Sequence, residues 1–354
     1  MQLQKETDYY LKRQQKSKEK YINDDIFPHR YVLVLTNKCN LRCSFCFQDK
    51  SHLPGSLDYE GWKKIIDQLP KDSWVTLTGG EPLAFKKFKD IFSYITKKFK
   101  CNLISNGVLL NKDIIDLLLS KKNFSTLSIS VDNIGNTVRD VKQLQWEHAE
   151  NMMKLFSDTK KNYRNDVILD TKTVVLDDNA NQLFDIHKYC VEYLQSDTHS
   201  FQFLKGAPIQ FSDLIYEYEE MFKEVEAYSY KNFAIIKKQL KKVAEYNLDN
   251  KKIGYLHPKF GDINQINRID EETIDKLNIT KHNPKLFKPC MAPWESVHIN
   301  TDGNLFPCMA ISMGNVKDKP LKEVLNSEKF NKFREDIKKY GTVPGCNRCG
   351  YLKP

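Results

Sequence analysis

From residue 31 to residue 204 the chain alternates short β-rich apolar runs with segments of helical spacing, and this alternation restricts the fold more than any other feature. Residues 31–36, 74–78, 102–105, 126–131, 167–175 and 200–204 read as strands. Segments 59–69, 85–98, 112–120, 137–156 and 181–194 between them read as helices. In the first of these, Trp62, Ile65, Ile66 and Leu69 fall on one face. Strands separated by helices of this length build βαβ units and a parallel sheet. Six such units curl toward a barrel but fall short of the roughly eight that close one. The expected fold class is α/β, a partial (βα)6 TIM-like barrel with its chemistry at the C-terminal strand ends.

After Lys205-Gly206 the pattern changes. Residues 216–246 read as one long charged helix with Phe222, Val225, Tyr228, Phe233, Ile236, Leu240 and Val243 as its apolar stripe, and 248–285 reads as irregular. The expected organisation is a polar N-terminal arm (1–28), a core (29–205), a helical linker and substrate-side region (206–285) and a C-terminal domain (286–354). The net charge of +9 comes from lysines scattered along helices, so a nucleic-acid partner is not expected. No apolar run approaches the ~18 residues that span a bilayer, so no membrane partner is expected. The N-terminus lacks the apolar core of a secretory signal. A cytoplasmic location follows as the expectation.

Nine cysteines in such a chain do not suggest a disulfide framework. Cys101 and Cys190 stand alone in apolar surroundings and read as buried small hydrophobes. The other seven form two groups. Cys39, Cys43 and Cys46 lie in one loop after the first strand at spacing C-x3-C-x2-C. Three thiolates facing one inorganic centre leave an iron of a four-iron cubane open for chemistry. The alternative is a structural zinc, which wants a fourth ligand, and none follows before His52.

The loop, with Phe45 as its aromatic, resembles that of the radical S-adenosylmethionine (SAM) enzymes. Thr78-Gly79-Gly80-Glu81-Pro82 is similar to the family's GGEP motif, Ser105-Asn106-Gly107 to its TNG segment, and Ser128-Ile129-Ser130-Val131-Asp132 to its fifth-motif strand. The usual glycine after that aspartate is Asn133 here. The resemblance covers residues 31–205. It implies a 4Fe–4S cluster held by Cys39, Cys43 and Cys46 and SAM on its open iron. One electron then breaks the sulfonium–C5′ bond, giving methionine and a 5′-deoxyadenosyl radical that removes hydrogen from substrate. Expected SAM-site residues are Phe45, Gly79, Gly80, Glu81, Asn106, Ser130, Asp132 and Arg139. The two glycines are expected to let backbone approach the ligand, and Arg139 to clamp its carboxylate as a fork.

The second group is Cys290, Cys308, Cys346 and Cys349, with Asp302-Gly303 reading as a tight hairpin turn that returns Cys308 beside Cys290. Spacing alone favours zinc. The order C-x12-G-x4-C, a gap, then C-x2-C resembles the twitch domain, the short relative of the SPASM domain. So does Met313-Gly314-Asn315-Val316 before a helix expected over 321–337. This resemblance implies a β-hairpin-plus-helix domain with one auxiliary 4Fe–4S cluster held by all four cysteines.

Three functions compete. The first is a radical SAM oxidoreductase that oxidises a small, polar, sugar-like metabolite with the auxiliary cluster as electron relay. The second is radical modification of a peptide or protein by thioether formation, epimerisation or side-chain oxidation. The third is non-catalytic metal binding, against which the intact GGEP segment argues. The first is preferred because a 28-residue arm is short for a peptide-binding domain. A reducing partner such as flavodoxin or ferredoxin is implied. Lys205, Gln210, Tyr255, His257 and Lys259 are the substrate-side candidates, and no general base can be named.

Overall fold

The computed structural model describes residues 12, 15–46, 48, 56–210, 214–258 and 271–353. All the expected strands form: β1 (Arg30–Val34), β2 (Trp74–Thr78), β3 (Lys100–Ser105), β4 (Phe124–Ser130), β5 (Ile168–Val175) and β6 (Thr198–Phe203). Each pairs in parallel with the next. A further parallel strand, β7 (Gly254–His257), lies beside β6. At the opposite edge β8 (Ser296–Ile299) pairs in parallel with β1, and β9 (Leu305–Phe306) runs antiparallel to β8. Among the described residues the sheet has nine strands in the order β7-β6-β5-β4-β3-β2-β1-β8-β9 and does not close. It is the expected partial barrel, lengthened at both edges.

Helices α1 (Tyr59–Ile66), α2 (Phe88–Lys98), α3 (Lys112–Ser120), α4 (Gln143–Tyr163) and α5 (Leu183–Lys188) connect the strands. Asp58 starts α1 by accepting the Gly61 amide at 2.8 Å, an N-cap that satisfies an otherwise unpaired donor. Strand side chains alternate between two faces. One face carries Leu33, Leu77, Leu103, Leu127, Leu169 and Phe201, all buried in the core with Trp62, Ile95 and Leu118 of the helices. Phe92 and Phe124 meet edge to face at 5.5 Å, and each buried ring contributes roughly 2–3 kcal/mol.

The other face is polar. Thr76 Oγ1 donates to Asn102 Oδ1 at 2.7 Å and accepts from Arg30 Nε at 2.9 Å. Asp170 accepts from Ser128, Thr198 and Ser200 at 3.0, 2.7 and 3.2 Å and pairs with Lys172 at 2.7 Å. A sheet so lined offers its concave side to a polar occupant.

Departures from the expected elements have local causes. The long helix over 216–246 is instead a 3-10 turn (Tyr218–Phe222), an extended stretch, and α6 (Phe233–Asn250). Backbone groups of the stretch bond elsewhere: the Ala227 amide reaches Thr280 O at 2.7 Å, and Asp177 accepts the Asn232 amide at 2.8 Å. Ile236, Leu240 and Val243 do form the buried stripe, whereas Phe222 and Tyr228 are exposed. Residues 248–285 hold β7 and the short helix α7 (Glu271–Lys276). The helix expected over 137–156 begins at Gln143, after a 3-10 turn and a left-handed Asp140. The one expected over 181–194 passes from α5 into a π-turn at Tyr189–Tyr193. The one over 321–337 is split into two (Leu321–Leu325 and Glu328–Tyr340), the second capped by Ser327. No helix among the described residues is long and apolar enough to cross a membrane.

Candidate active site

The cysteine loop leaves β1 and is pinned at once to the end of β2. The Gly80 amide donates to Thr36 O at 2.7 Å and the Glu81 amide to Lys38 O at 2.8 Å. A β-carbon on Gly79 would lie 2.5 Å from Thr36 O. Both glycines therefore admit the close approach of the cysteine loop's backbone.

Within the loop the Leu41 amide donates to Cys39 Sγ at 3.4 Å, and the Cys46 amide to Cys43 O at 3.2 Å. Cys43 is buried, while Cys39 and Cys46 are half-buried. Burial, then the charges of Glu81, Cys43 and Cys46, push the Cys39 thiol up, opposed by the Leu41 amide. Three sulfurs crowding one loop favour a cationic centre that removes their protons. Among the described residues no three His, Cys, Asp or Glu side chains converge as a single metal ion requires. A four-iron cube spreads its thiolates more widely than one tetrahedral ion does.

Asn106, after β3, donates from Nδ2 to Asn40 Oδ1 at 2.9 Å and lies 3.8 Å from Cys39 Sγ. Arg139 places Nη1 3.7 Å from Cys43 Sγ and its guanidinium 5.3 Å from the centre of the Phe45 ring. The structure thus brings Phe45, Asn106 and Arg139 to the cysteines.

Glu81 and Asp132 are both held by protein groups. Glu81 is wholly buried and accepts from Ser105 Oγ at 2.9 Å, the Leu83 amide at 3.0 Å and the Asn106 amide at 2.8 Å. Its carboxylate ties the ends of β2 and β3 together. Burial raises its pKa against the pull of these donors. Asp132, equally buried, accepts the Val174 amide at 2.5 Å and pairs with Arg139, so it orients that cation. Burial raises its pKa too, opposed chiefly by Arg139. Ser130 ends β4 in register with Lys172 on the polar face. Asn133, in place of the usual glycine, bonds Thr137 Oγ1 and the Val138 amide at 2.8 and 3.1 Å. The left-handed backbone positions of this loop fall on Gly135, Asn136 and Asp140, so a side chain at 133 is accommodated.

The second group converges from three segments. Gly303, at φ +89°, makes the turn between β8 and β9 that returns Cys308 toward Cys290. Cys346 ends a 3-10 turn, and the Cys349 amide donates to its carbonyl at 2.9 Å. Burial first, then Cys290, Cys346 and Cys349, hold the Cys308 thiol far up. Burial and Cys349 push the Cys290 thiol up to about 12. Asn347, between the last two cysteines, fastens them to the barrel. Its carbonyl accepts from the Gly206 amide at 3.0 Å and Gln210 Nε2 at 2.6 Å, and its Nδ2 donates to Thr280 O at 2.8 Å.

Lys205 is held well below its usual range by burial, opposed by the charges of Cys349 and Cys308, and Gln210 braces the knuckle through Gly345 O and Asn347 O. Tyr255 and His257 lie on β7, Tyr255 in register with Ser200 on the polar face. Lys259 lies outside the described residues. Sequence reasoning missed Asp170 and Lys172. Their signal was a polar pair at i, i+2 in a strand, which places both on one face.

Two family models match the chain: the radical SAM superfamily over residues 33–190, and SPASM, an iron–sulfur cluster-binding domain, over 290–350. Among curated proteins it resembles the antilisterial bacteriocin subtilosin biosynthesis protein AlbA of Bacillus subtilis. The two are 32% identical over 122 residues, 33% of this chain and 27% of that protein. The sporulation killing factor maturation protein SkfB of the same species is 29% identical over 47% of this chain and 40% of its own. The chain thus spans less than half the length of either. A tungsten-containing aldehyde ferredoxin oxidoreductase cofactor-modifying protein of Pyrococcus furiosus is 23% identical over 90% of this chain and 86% of its own. Among solved structures, Streptococcus suis SuiB bound to the precursor peptide SuiA superposes with a TM-score of 0.62 at 16% identity, covering 87% of this chain and 67% of that one; this likeness concerns the fold. Both cysteine groups thus lie inside matched domains: the chain carries a radical SAM domain and a C-terminal SPASM-type iron–sulfur cluster-binding domain.

Proposed function

We propose that the chain oxidatively modifies a peptide, with Cys39, Cys43 and Cys46 holding the SAM-binding 4Fe–4S cluster and Cys290, Cys308, Cys346 and Cys349 an auxiliary one. When bound, cluster and SAM supply one-electron cleavage of the sulfonium and a 5′-deoxyadenosyl radical that takes a hydrogen atom from substrate. Arg139, oriented by Asp132, offers a guanidinium to the SAM carboxylate. Asn106 steadies the loop through Asn40. Lys172 and Ser130 meet the substrate at the mouth of the polar face, and Asp170 fixes Lys172. A cluster held by Cys290, Cys308, Cys346 and Cys349 would supply an acceptor for the electron left by the oxidised substrate. The observation that carries this reading is the gathering of seven cysteines into two separate groups, one beside Asn106 and Arg139 and one tied to the barrel through Asn347.

A peptide substrate is favoured over the sugar-like metabolite preferred from sequence because AlbA is named for biosynthesis of a bacteriocin and SkfB for maturation of a killing factor. The Pyrococcus relative, matched over most of its length, supports a cofactor-like small molecule as the second reading. In this reading residues 29–205 form the core and 286–354 the auxiliary domain.

Anaerobic reconstitution with iron and sulfide, then SAM and dithionite, tests the proposal. Two 4Fe–4S clusters require about eight irons per chain and formation of 5′-deoxyadenosine. Substituting Cys39, Cys43 and Cys46 together with Ala should abolish that product. About four irons with one zinc would remove the electron-relay role.

A further inference from the structure

Two side chains from outside the cysteine loop approach its sulfurs, each from a different strand end. Arg139, past β4, holds Nη1 3.7 Å from Cys43 Sγ. Asn106, past β3, holds Nδ2 3.8 Å from Cys39 Sγ. Sulfur is larger than oxygen, so both are hydrogen-bond distances.

Both side chains are anchored by other bonds. Asn106 Nδ2 also donates to Asn40 Oδ1 at 2.9 Å, and its Oδ1 accepts the Val108 amide at 3.0 Å. Arg139 Nε is taken by Asp132, and the guanidinium lies 5.3 Å from the centre of the Phe45 ring. Only 15% of the Arg139 side chain is exposed. Each N–H aimed at sulfur is thus fixed in direction. As a thiol, Cys43 can donate to Arg139 O, 3.8 Å away. As a metal-bound thiolate it can only accept, and Arg139 Nη1 is the donor beside it.

We infer that Arg139 and Asn106 set the reduction potential of the cluster held by Cys39, Cys43 and Cys46. The inference rests on the proposed function, which places a 4Fe–4S cluster on these cysteines. Reduction adds one negative charge there, and donors to the sulfur ligands stabilise the more negative state more than the less negative one. The two side chains therefore raise the potential and ease the entry of an electron. Arg139 contributes more, because a charged donor binds an anionic acceptor about twice as strongly as a neutral one. The effect is on potential alone: no bond is made or broken and no proton moves.

The test is an EPR-monitored redox titration of the reconstituted full chain without SAM, so that no added ligand meets Arg139. The first cluster's signal is the one missing when Cys39, Cys43 and Cys46 are all replaced by Ala. Two variants are compared with the wild type. One is Asn106→Leu. The other joins Arg139→Gln to Asp132→Asn, which removes both charges of the pair and strands no buried ion. The double variant should lower the first cluster's potential by about 59 mV, a tenfold change in a one-electron equilibrium. Asn106→Leu should lower it by less. The auxiliary potential should stay where it is, and both variants should keep about eight irons per chain. Unchanged first-cluster potentials overturn the inference, and so does an equal shift at both clusters. Loss of about four irons overturns it too, because the side chains then hold the loop together and do not tune it. If the wild type assembles no 4Fe–4S cluster on the first cysteines, it is the proposed function that fails, and the two failures are distinct.

Discussion

A β-carbon on Gly80 would sit 2.5 Å from the carbonyl oxygen of Lys38, closer than a carbon and a carbonyl oxygen can pack. The obstacle is backbone on both sides, so no side-chain rotation relieves it. Gly80→Ala must therefore push the cysteine loop away from β2. Misplacement of reacting groups by about 1 Å costs on the order of a hundredfold in rate. The variant should form 5′-deoxyadenosine about that much more slowly and bind roughly four fewer irons, because only the first centre is disturbed. A variant with full iron and full activity would show that the glycine does not set the loop.

Asp132 and Arg139 form a buried pair, and removing one charge leaves the other without compensation. Asp132→Asn should destabilise the fold by roughly 3–5 kcal/mol, the usual range for breaking such a pair. It should also weaken SAM binding, since the guanidinium loses its fixed direction. Urea midpoints and equilibrium SAM titrations read the two effects separately. Unchanged SAM affinity with lowered stability would confine the pair to a structural role.

The barrel was legible in the sequence because short β-rich apolar runs alternate with segments whose apolar residues recur with a period near 3.6, and local patterning of this kind survives into the fold. The cysteine groups were legible because ligand spacing is itself local. What long-range packing decides was not. Glu81 and Asp132 look like ligand groups in a motif, yet their partners, Ser105, Asn106, Arg139 and Val174, come from other strands and loops. The segment around Val225 has helical composition, but Thr280 and Asn347 take up its backbone groups.

Asn347 is wholly enclosed and bonds three separate segments, those of Gly206 to Gln210, Val225 and Thr280. Asn347→Ala keeps the carbonyl bonds and removes those of Nδ2 to Thr280 O and Val225 O, while Thr280 O still accepts the Ala227 amide. The cost should be about 0.5–1.5 kcal/mol for each bond lost. Hydrogen exchange should quicken at Ala227, whose amide bonds Thr280 O, and remain unchanged along β3 and β4. Uniform protection in the variant would mean that the knuckle and this segment are held by packing alone.

His187 and His199 lie against one another between the sheet and the helices, their Nδ1 atoms 2.9 Å apart. Thr173 Oγ1, whose hydrogen goes to Val131 O, lies 2.8 Å from His199 Nε2, and His187 Nε2 lies 2.7 Å from Asn247 Oδ1. Burial lowers the His187 pKa from 6.5 to about 4, and burial with the neighbouring ring lowers that of His199. The unfolded chain therefore binds protons that the folded chain refuses. Stability from His187 is complete above pH 6.5 and is lost as pH falls from there toward 4. At about 1.4 kcal/mol per unit, the loss from His187 alone reaches up to ~3 kcal/mol at the acid end. His187→Gln keeps a donor for Asn247 but cannot titrate. Its denaturant midpoint should fall less steeply than the wild type's as the pH falls from 6.5 toward 4. Acid loss of iron affects both proteins alike, so the difference between the two slopes isolates the histidine. Parallel slopes would mean that the buried ring carries its proton in the folded protein.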